Sequence, residues 1–310
     1  MADAQEPLKI GVVSGKGGVG KSTVTAALVT MFDKHGVNLV ALDCDVDAPN
    51  LALLFEPEDT KEDKTIFTVK TTEKSSFNED ECTQCRACVD DNYCYVNAIS
   101  WDEENDFPVL DYLSCEGCGA CSVLCEFGAY SIAPIDSGEI CKTRTKNGFD
   151  LVHGETIIGA STSGKLVAEV KQYATDLAKE DGITLIVIDG PPGIGCPVLA
   201  TLTGLDFVIV VMEPFPAAFH DASRVIEVIN NFGIPFGIVI NRSDAWEEGH
   251  QQIMSFIEEN GYTFLGDIPI DMEVPKSVVN MQSIITYAPD SKASNSLDGI
   301  YKSLKKIIEK

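Results

Sequence analysis

A glycine-rich segment near the start of the chain has the residue types that bind phosphate, in the pattern G-x-x-x-x-G-K-[ST]. Its residues are Gly15, Lys16, Gly17, Gly18, Val19, Gly20, Lys21, Ser22 and Thr23. Glycines let successive backbone N–H groups turn inward around phosphate oxygens, because no Cβ obstructs them. We expect Lys21 to reach the β- and γ-phosphates of ATP and the Ser22 hydroxyl to bind Mg²⁺. A glycine-rich turn without a ligand is the alternative, which the flanking strand and helix disfavour.

Eight cysteines between residues 82 and 125 form a second group with a duplicated pattern. Each copy has three cysteines at three-residue intervals and a fourth further on. The copies are Cys82, Cys85, Cys88 and Cys94, and then Cys115, Cys118, Cys121 and Cys125. In the ligand runs of bacterial ferredoxins, the fourth cysteine serves the other cluster. The pattern therefore predicts two [4Fe–4S] clusters. Their predicted ligands are Cys82, Cys85, Cys88 and Cys125 for one, and Cys115, Cys118, Cys121 and Cys94 for the other.

Residues 77–135 as a whole resemble a two-cluster ferredoxin, with two departures. Five residues separate Cys88 from Cys94, whereas three separate Cys121 from Cys125. Neither fourth cysteine is followed by the usual proline, since Tyr95 and Glu126 stand there. Zinc is the rival metal, but it prefers two Cys-x₂-Cys pairs spaced well apart in each site. Triplets of cysteines favour clusters.

The elements that would position these groups follow an alternating pattern of strands and helices. Strands are predicted at 8–13, 39–42, 184–188, 207–211, 236–240 and 263–268, and helices at 23–34, 165–179, 222–231 and 251–260. This alternation predicts an α/β fold with a mostly parallel sheet and helices on both faces. The acidic, cysteine-rich stretch interrupts it. We expect a P-loop ATPase domain at 1–65 and 150–310, and an inserted α+β ferredoxin-like domain at 66–149.

The second lysine of the glycine-rich loop makes its resemblance more specific. GKGGVGKST resembles the deviant Walker A motif of the MinD/Mrp/ParA class of P-loop ATPases, which includes the nitrogenase iron protein. The resemblance implies Mg²⁺-dependent ATP hydrolysis in an ATP-dependent homodimer, or in a heterodimer with a close paralogue. In that family the lysine at the position of Lys16 crosses the dimer to the partner's phosphates.

Other residues take their expected roles from the same resemblance. Asp45 would orient the attacking water, Asp43 would assist around the metal, and Asp189 would hold Mg²⁺ at the start of a mobile switch, Gly190–Gly193. Helix capping is the alternative for Asp43 and Asp45. Asn241 resembles the family's adenine-reading asparagine, and Pro269 and Ile270 would line the base. The alternative for Asn241 is a turn residue.

Three further cysteines lie outside the duplicated pattern. Cys44 and Cys141 are interpreted as structural. Cys196 lies near the position at which the nitrogenase iron protein holds a ligand of its bridging cluster. Because the second ligand of such a site has no counterpart at 159–164, a buried or helix-terminal thiol is favoured for Cys196.

The composition excludes several partners. A formal net charge of −25 argues against nucleic-acid binding and disfavours anionic membranes. No secretory signal or apolar segment of membrane-spanning length is visible, so we expect a cytoplasmic protein. The C-terminal segment, with Leu297, Ile300, Tyr301 and Leu304, predicts an amphipathic helix. MinD uses such a tail to bind membrane, but packing on the sheet is favoured.

Three functions are compatible with these features. The first is an iron–sulfur ATPase that couples nucleotide state to electron transfer or to a redox partner with a basic surface. The second is delivery of clusters or metal to an acceptor protein. The third is spatial positioning in the manner of MinD or ParA, with structural clusters. Two completely ligated sites suit electron transfer better than delivery, which needs labile ligands.

Overall fold

The computed structural model describes residues 6–55, 64–160 and 163–309. Its strands are β1 (Leu8–Ser14), β2 (Leu39–Asp43), β3 (Lys64–Val69), β4 (Thr72–Phe77), β5 (Ile99–Asp102), β6 (Phe107–Leu110), β7 (Tyr130–Ile135), β8 (Gly138–Arg144), β9 (Asp150–Thr156), β10 (Leu185–Pro192), β11 (Phe207–Met212), β12 (Phe236–Asn241) and β13 (Thr263–Ile268). Its α-helices are α1 (Lys21–Lys34), α2 (Ala87–Asp90), α3 (Ala120–Leu124), α4 (Ser163–Glu180), α5 (Cys196–Leu202), α6 (Pro216–Phe232), α7 (Glu247–Asn260), α8 (Glu273–Val279), α9 (Ile284–Tyr287) and α10 (Lys292–Ile308). Short 3-10 helices lie at Leu51–Leu54 and Glu79–Glu81.

The described residues divide into two units. The large unit takes its residues from Met1–Ile66, Ile140–Glu155 and Val167–Lys310, and the small unit from Phe67–Glu139 and Thr156–Leu166. The expected insert ran from 66 to 149. The structure instead groups 140–155 with the large unit and adds 156–166 to the small one, and residues 56–63 near the first boundary lie outside the described part.

A nine-stranded sheet with the order β13-β12-β11-β1-β10-β2-β9-β8-β3 forms the framework of the fold. Parallel pairs join the seven strands from β13 to β9. Near-continuous apolar runs form the central strands because both faces of the sheet are covered. All six residues of β11 are buried, for example. The α/β fold and its mostly parallel sheet confirm the fold-class prediction for this part of the chain.

Helices cover both faces of the sheet in the large unit. Helix α1 contacts β1, β2 and β10, and α10 contacts β13 and α1. Phe207, Ile209 and Val211 of β11 belong to the core cluster that includes these two helices. Helix α6 contacts β11 and β1, and α5 contacts β10 and β1. All the predicted strands and helices of this unit are present.

The C-terminal helix is a packed element of the large unit. Leu297, Ile300, Tyr301 and Leu304 of α10 are buried in the core cluster. Its apolar face is therefore in contact with protein, as predicted, and is not exposed for binding to a membrane. Among the described residues, no helix is long and apolar enough to cross a bilayer.

The small unit contains two antiparallel strand pairs and two short helices. Strand β4 pairs with β7, and β5 pairs with β6. Helix α2 follows Arg86 and α3 follows Gly119, so each helix begins between the second and third cysteines of a triplet. Cys88, Ile99, Cys121 and Tyr130 form a small core. The cysteine repeat is thus matched by a repeated loop and helix.

Candidate nucleotide and cysteine sites

The glycine-rich loop connects β1 to α1 and is held by close backbone packing. Gly18 and Gly20 have φ of 81° and 91°, a conformation that glycine adopts readily. A Cβ on Gly15 would lie 2.1 Å from the carbonyl carbon of Asp221, so a side chain does not fit there. A Cβ on Gly20 would lie 2.3 Å from Nδ2 of Asn241. The loop therefore requires glycine at Gly15 for space, and at Gly20 for both space and conformation.

The loop lysine and the strand-end aspartate are already in contact. Nζ of Lys21 donates to Oδ1 of Asp189 at 2.9 Å, and both side chains are buried. The Thr25 hydroxyl donates to the same oxygen at 3.0 Å. Oδ2 of Asp189 is buried and has no hydrogen-bond partner among the described residues. An unpartnered carboxylate oxygen beside a phosphate-binding loop fits a role in holding Mg²⁺.

The two aspartates at the end of β2 have different environments. Asp43 is buried, and its oxygens accept hydrogen bonds from the backbone N–H groups of Asp45, Asn50 and Leu51 at 2.9 Å each. Burial raises the pKa of Asp43 to about 7, with Asp189 adding to the effect. Asp45 is half-buried and lines the nucleotide cavity. Burial also raises the pKa of Asp45, and Lys21 opposes that shift.

A cavity of about 790 Å³ extends from the loop and is large enough for a nucleotide. The predicted site residues on its wall are Gly17, Gly18, Gly20, Lys21, Ser22, Thr23, Asp45, Asn241, Pro269 and Ile270. Asn241 donates from Nδ2 to the carbonyl of Val19 at 2.8 Å, so it holds the loop from the opposite strand. No hydrogen bond to its Oδ1 is found within residues 6–55, 64–160 and 163–309, which fits a role in contacting a base. The structure thus brings the predicted loop, Asp45 and the predicted base pocket together around one space.

Some predicted residues lie beside this cavity without lining it. Lys16 is exposed, and its carbonyl accepts a hydrogen bond from the Ser14 hydroxyl at 2.8 Å. Gly193 has φ of 93° and donates its N–H to the carbonyl of Ser14 at 3.0 Å. The bond from Gly193 connects the switch segment to the end of β1. The role of Lys16 in a dimer stays a prediction.

Sequence reasoning missed two contacts near the loop. Thr25 lies one helical turn after Lys21, which was the available signal that it faces Asp189. Arg242 lines the cavity and donates from Nη1 to Oε1 of Glu213 at 2.6 Å. Burial raises the pKa of Glu213, and Arg242 and Lys16 oppose the shift. Nothing in the sequence pairs Arg242 with Glu213, because they follow different strands.

Each predicted set of four cysteines lines its own cavity in the small unit. The first cavity, of about 290 Å³, is lined by Cys82, Cys85, Cys88 and Cys125. The second, of about 20 Å³, is lined by Cys94, Cys115, Cys118 and Cys121. The sets therefore mix the two sequence copies, as the exchange of the fourth cysteine requires. Cys85 and Cys118 are exposed, so both sets reach the surface.

The two cysteine loops have the same backbone conformation. Gln84 and Arg86 in the first loop, and Gly117 and Gly119 in the second, have positive φ values between 58° and 79°. The N–H of Gln84 points at Sγ of Cys82, and that of Gly117 points at Sγ of Cys115, both at 3.4 Å. Successive N–H groups turned inward by left-handed residues form a concavity for an anion, as occurs at iron–sulfur sites.

The thiols and the cavity volume of each cysteine set indicate which group the set could hold. Four thiols, an anion-binding loop and a cavity of about 290 Å³ fit a [4Fe–4S] cluster at the first set. The second set has the same donors, but its cavity of about 20 Å³ has little more room than one water molecule needs, so its lining must move apart to admit a cluster. Among the described residues, no three His, Cys, Asp or Glu side chains converge to hold a single metal ion.

The remaining cysteines differ in exposure. Cys44 and Cys141 are buried, which agrees with their interpretation as structural residues. Cys196 is exposed and is the first residue of α5. The prediction for Cys196 was a buried or helix-terminal thiol, and the structure shows the helix-terminal form. Its exposure follows from its position directly after the Gly190–Gly195 segment.

Comparison with known proteins identifies the family. Residues 10–284 match the CobQ/CobB/MinD/ParA nucleotide binding domain. The chain belongs to this family. It is therefore a P-loop ATPase of the MinD/ParA family.

Several proteins are similar over nearly the whole chain. Uncharacterized protein MJ0578 of Methanocaldococcus jannaschii is 38% identical, covering 97% of this chain and 98% of that protein. The iron-sulfur cluster carrier protein of Pyrococcus furiosus is 25% identical, covering 97% and 87%. The septum site-determining protein MinD of Pyrococcus horikoshii, solved with Mg-ADP, has a TM-score of 0.59 at 20% identity, covering 97% of each chain. This last likeness shows the fold.

Proposed function

We propose that this ATPase holds two [4Fe–4S] clusters in its small unit and couples its nucleotide state to electron transfer or partner binding. One observation carries the proposal: two complete sets of four cysteines, each around its own cavity, lie in a chain of the MinD/ParA family. On this proposal, the small unit is a ferredoxin-like insert and the clusters supply one-electron oxidation and reduction. A reducing, cytoplasmic location would keep the eight thiols available.

The nucleotide-site residues act in a definite order on this proposal. When the phosphates of ATP enter the loop, Lys21 exchanges its bond to Asp189 for the phosphate oxygens. Asp189 and the Ser22 hydroxyl would then hold Mg²⁺, Asp189 through water. The ion would supply positive charge to the β- and γ-phosphates. Asp45 is on the cavity wall where it can orient the attacking water, and Asp43 holds the loop that carries Asp45.

The switch segment provides a route by which the nucleotide state can change the protein. Gly193 bonds to the carbonyl of Ser14, next to the phosphate loop, and α5 begins three residues later. Movement of Asp189 on Mg²⁺ binding therefore acts directly on the backbone that leads into α5. We propose that this motion accompanies ATP-dependent dimerisation, in which Lys16 crosses to the partner's phosphates. Aquifex aeolicus MinD, a structural relative, has been solved in complex with MinC.

The cluster content is tested with two matched cysteine variants. Cys85 and Cys196 are both exposed, but only Cys85 lines a four-cysteine cavity. We expect the anaerobically purified protein to contain about eight iron and eight sulfide per chain, and Cys85→Ser to lose up to about half. Cys196→Ser should retain both clusters. Purified protein that contains zinc alone, or equal iron in the two variants, would contradict the proposal.

The coupling is tested by measuring the cluster reduction potentials with and without Mg-ATP, alongside iron transfer to an apo-acceptor protein. A potential shift without transfer supports the proposed function. Net transfer supports the alternative, cluster delivery, which the similarity to an iron-sulfur cluster carrier protein of Pyrococcus furiosus favours. If cluster-loaded protein showed neither a potential shift nor iron transfer, the coupling proposal would be wrong.

A further inference from the structure

One side chain connects the two cysteine sites. Among the residues that the structure describes, Tyr93 alone lines both four-cysteine cavities. It precedes Cys94, which belongs to the second set, and its backbone N–H donates to the carbonyl of Cys88, which belongs to the first set, at 3.1 Å. The backbone therefore ties Tyr93 to one cysteine of each set.

The extra residues of the first cysteine run explain this position. Helix α2 ends at Asp90, and Asn92 adopts a left-handed conformation with φ of 51°, which turns the chain back before Cys94. The shorter second run has Leu124 immediately before Cys125. Leu124 is 47% exposed and lines neither cavity. The two positions before the fourth cysteines thus differ, and only the longer run places an aromatic residue at both cavities.

Tyr93 packs against the small core that lies beside both cysteine sets. Its ring is half-buried and packs against the core that contains Cys88, Cys121 and Tyr130. A neutral aromatic side chain fills the space with bonded atoms and keeps water out of it.

We propose that Tyr93 is the contact through which an electron passes between the two clusters. The inference rests on the proposed function, because it requires both sites to be loaded. One electron leaves the reduced cluster at one set and enters the oxidised cluster at the other, so that no further oxidant or reductant takes part. Tyr93 keeps its proton and its charge throughout. Tyr93 makes the connection because, among the described residues, it alone lines both cavities.

The test compares exchange rates in protein that holds both clusters. Paramagnetic NMR exchange spectroscopy of the cysteine β-protons, in half-reduced protein, measures electron exchange between the sites. We expect Tyr93→Leu to slow the exchange several-fold and Tyr93→Phe to leave it near the wild-type rate. Tyr95→Leu is the matched control, since Tyr95 adjoins Cys94 but is 64% exposed and lines neither cavity. Unchanged exchange in Tyr93→Leu would overturn the inference.

Iron analysis separates the failure of this inference from that of the proposed function. Wild-type protein without two clusters refutes the proposed function, whereas normal clusters with unchanged exchange in Tyr93→Leu refute only the role of Tyr93. Should Tyr93→Leu lose a cluster, Tyr93→Met provides a flexible, non-aromatic side chain that fills irregular gaps. Wild-type exchange in Tyr93→Met would also overturn the proposal. Cluster loss in both variants, with retention in Tyr93→Phe, would count against it by making the ring a support for assembly.

Discussion

Asp43 shows how a carboxylate at an ATP site can act through the backbone. Both of its oxygens are occupied by N–H groups of the segment that follows β2, and the side chain is fully buried. The structure therefore gives it the task of holding Asp45 in position. The family resemblance implied a role for Asp43 near the metal. The observed contacts are closer to the alternative, helix capping. The segment that Asp43 holds is a loop followed by a 3-10 helix.

The burial of Asp43 predicts a pH dependence of stability. Its folded-state pKa of about 7 lies above the usual range near 3.9 for an unfolded chain. The native state therefore binds more protons between these values, and the free energy of unfolding decreases as pH rises through this window. We expect Asp43→Asn to remove roughly 1–3 kcal/mol of the decrease between about pH 5 and about pH 8.

Denaturant unfolding measures this effect, with Trp246 fluorescence as the probe of the large unit in a Trp101→Phe background. The variant should also be less stable at every pH, because an amide oxygen replaces only one of the two accepting oxygens. Identical pH profiles for Asp43→Asn and its Trp101→Phe parent would refute the assignment.

Residue types were more predictable than residue contacts. The phosphate loop and both cysteine sets could be identified from spacing alone, because each is a local pattern whose chemistry fixes its residues. The contacts of Thr25 and Arg242 could not, since they join residues brought together by strand order. Tyr93 was part of a recognised two-residue insertion, but the sequence does not show where an inserted residue points.

At the scale of elements, the two cysteine loops use different residues for one conformation. Gln84 and Gly117 occupy equivalent places and have φ of 58° and 67°. Gln84 shows that a side chain is tolerated in this backbone conformation. Gly117 has an additional constraint, because a Cβ there would lie 2.0 Å from the carbonyl oxygen of Glu73 in β4. Close approach of the second loop to β4 thus requires glycine at Gly117.

This difference predicts unequal effects of two alanine substitutions. Gly128 also has a positive φ, of 72°, but no atom lies within 4 Å of an added Cβ. We expect Gly128→Ala to cost about 1 kcal/mol of stability from backbone conformation alone. Gly117→Ala should cost more and reduce the iron content, because β4 or the cysteine loop must move. Thermal unfolding followed by circular dichroism and iron per chain are the measurements, and equal effects of the two variants would refute the steric argument.

Strands and helices with a clear hydrophobic pattern were predicted from the sequence, and elements without one were missed or misplaced. The buried strands and the amphipathic α4 and α10 have continuous apolar runs or helical stripes, and they were identified. Helix α6 begins at Pro216, six residues before its predicted start, because proline is favoured in the first turn although the segment 216–221 lacks an apolar stripe. Strands β8 and β9 were missed because they lie in polar sequence next to the cysteine repeat.

At the scale of the whole molecule, the chain builds its two units from discontinuous segments. The large unit includes 140–155, between the two segments of the small unit. Composition predicts that the inserted unit starts near residue 66, within an acidic stretch that precedes the cysteines. It could not give the end, because Thr156–Leu166 has the Ser, Thr and Gly content of an ordinary loop and is assigned by its contacts.

Dimer formation involves a second chain, and Lys16 is the residue predicted to reach that chain. Lys16 is exposed beside the phosphate loop, and the side-chain contacts found for the loop involve Lys21 and Asn241 instead. We therefore expect Lys16→Ala to abolish ATP-dependent dimerisation in sedimentation experiments and to lower ATP turnover by about 100-fold or more. Lys302→Ala is the control, since Lys302 lies on α10 in a surface ion pair with Asp298.

Mixing two inactive variants distinguishes a shared site from a site within one chain. In a mixed dimer of Lys16→Ala and Asp45→Ala, one nucleotide site keeps its own Asp45 and receives an intact Lys16 from the other chain. The second site lacks both side chains. If Lys16 acts across the dimer, the mixture regains part of the turnover that each variant lacks. If Lys16 acts on its own phosphates, each site still lacks one essential group, and the mixture stays as inactive as its components.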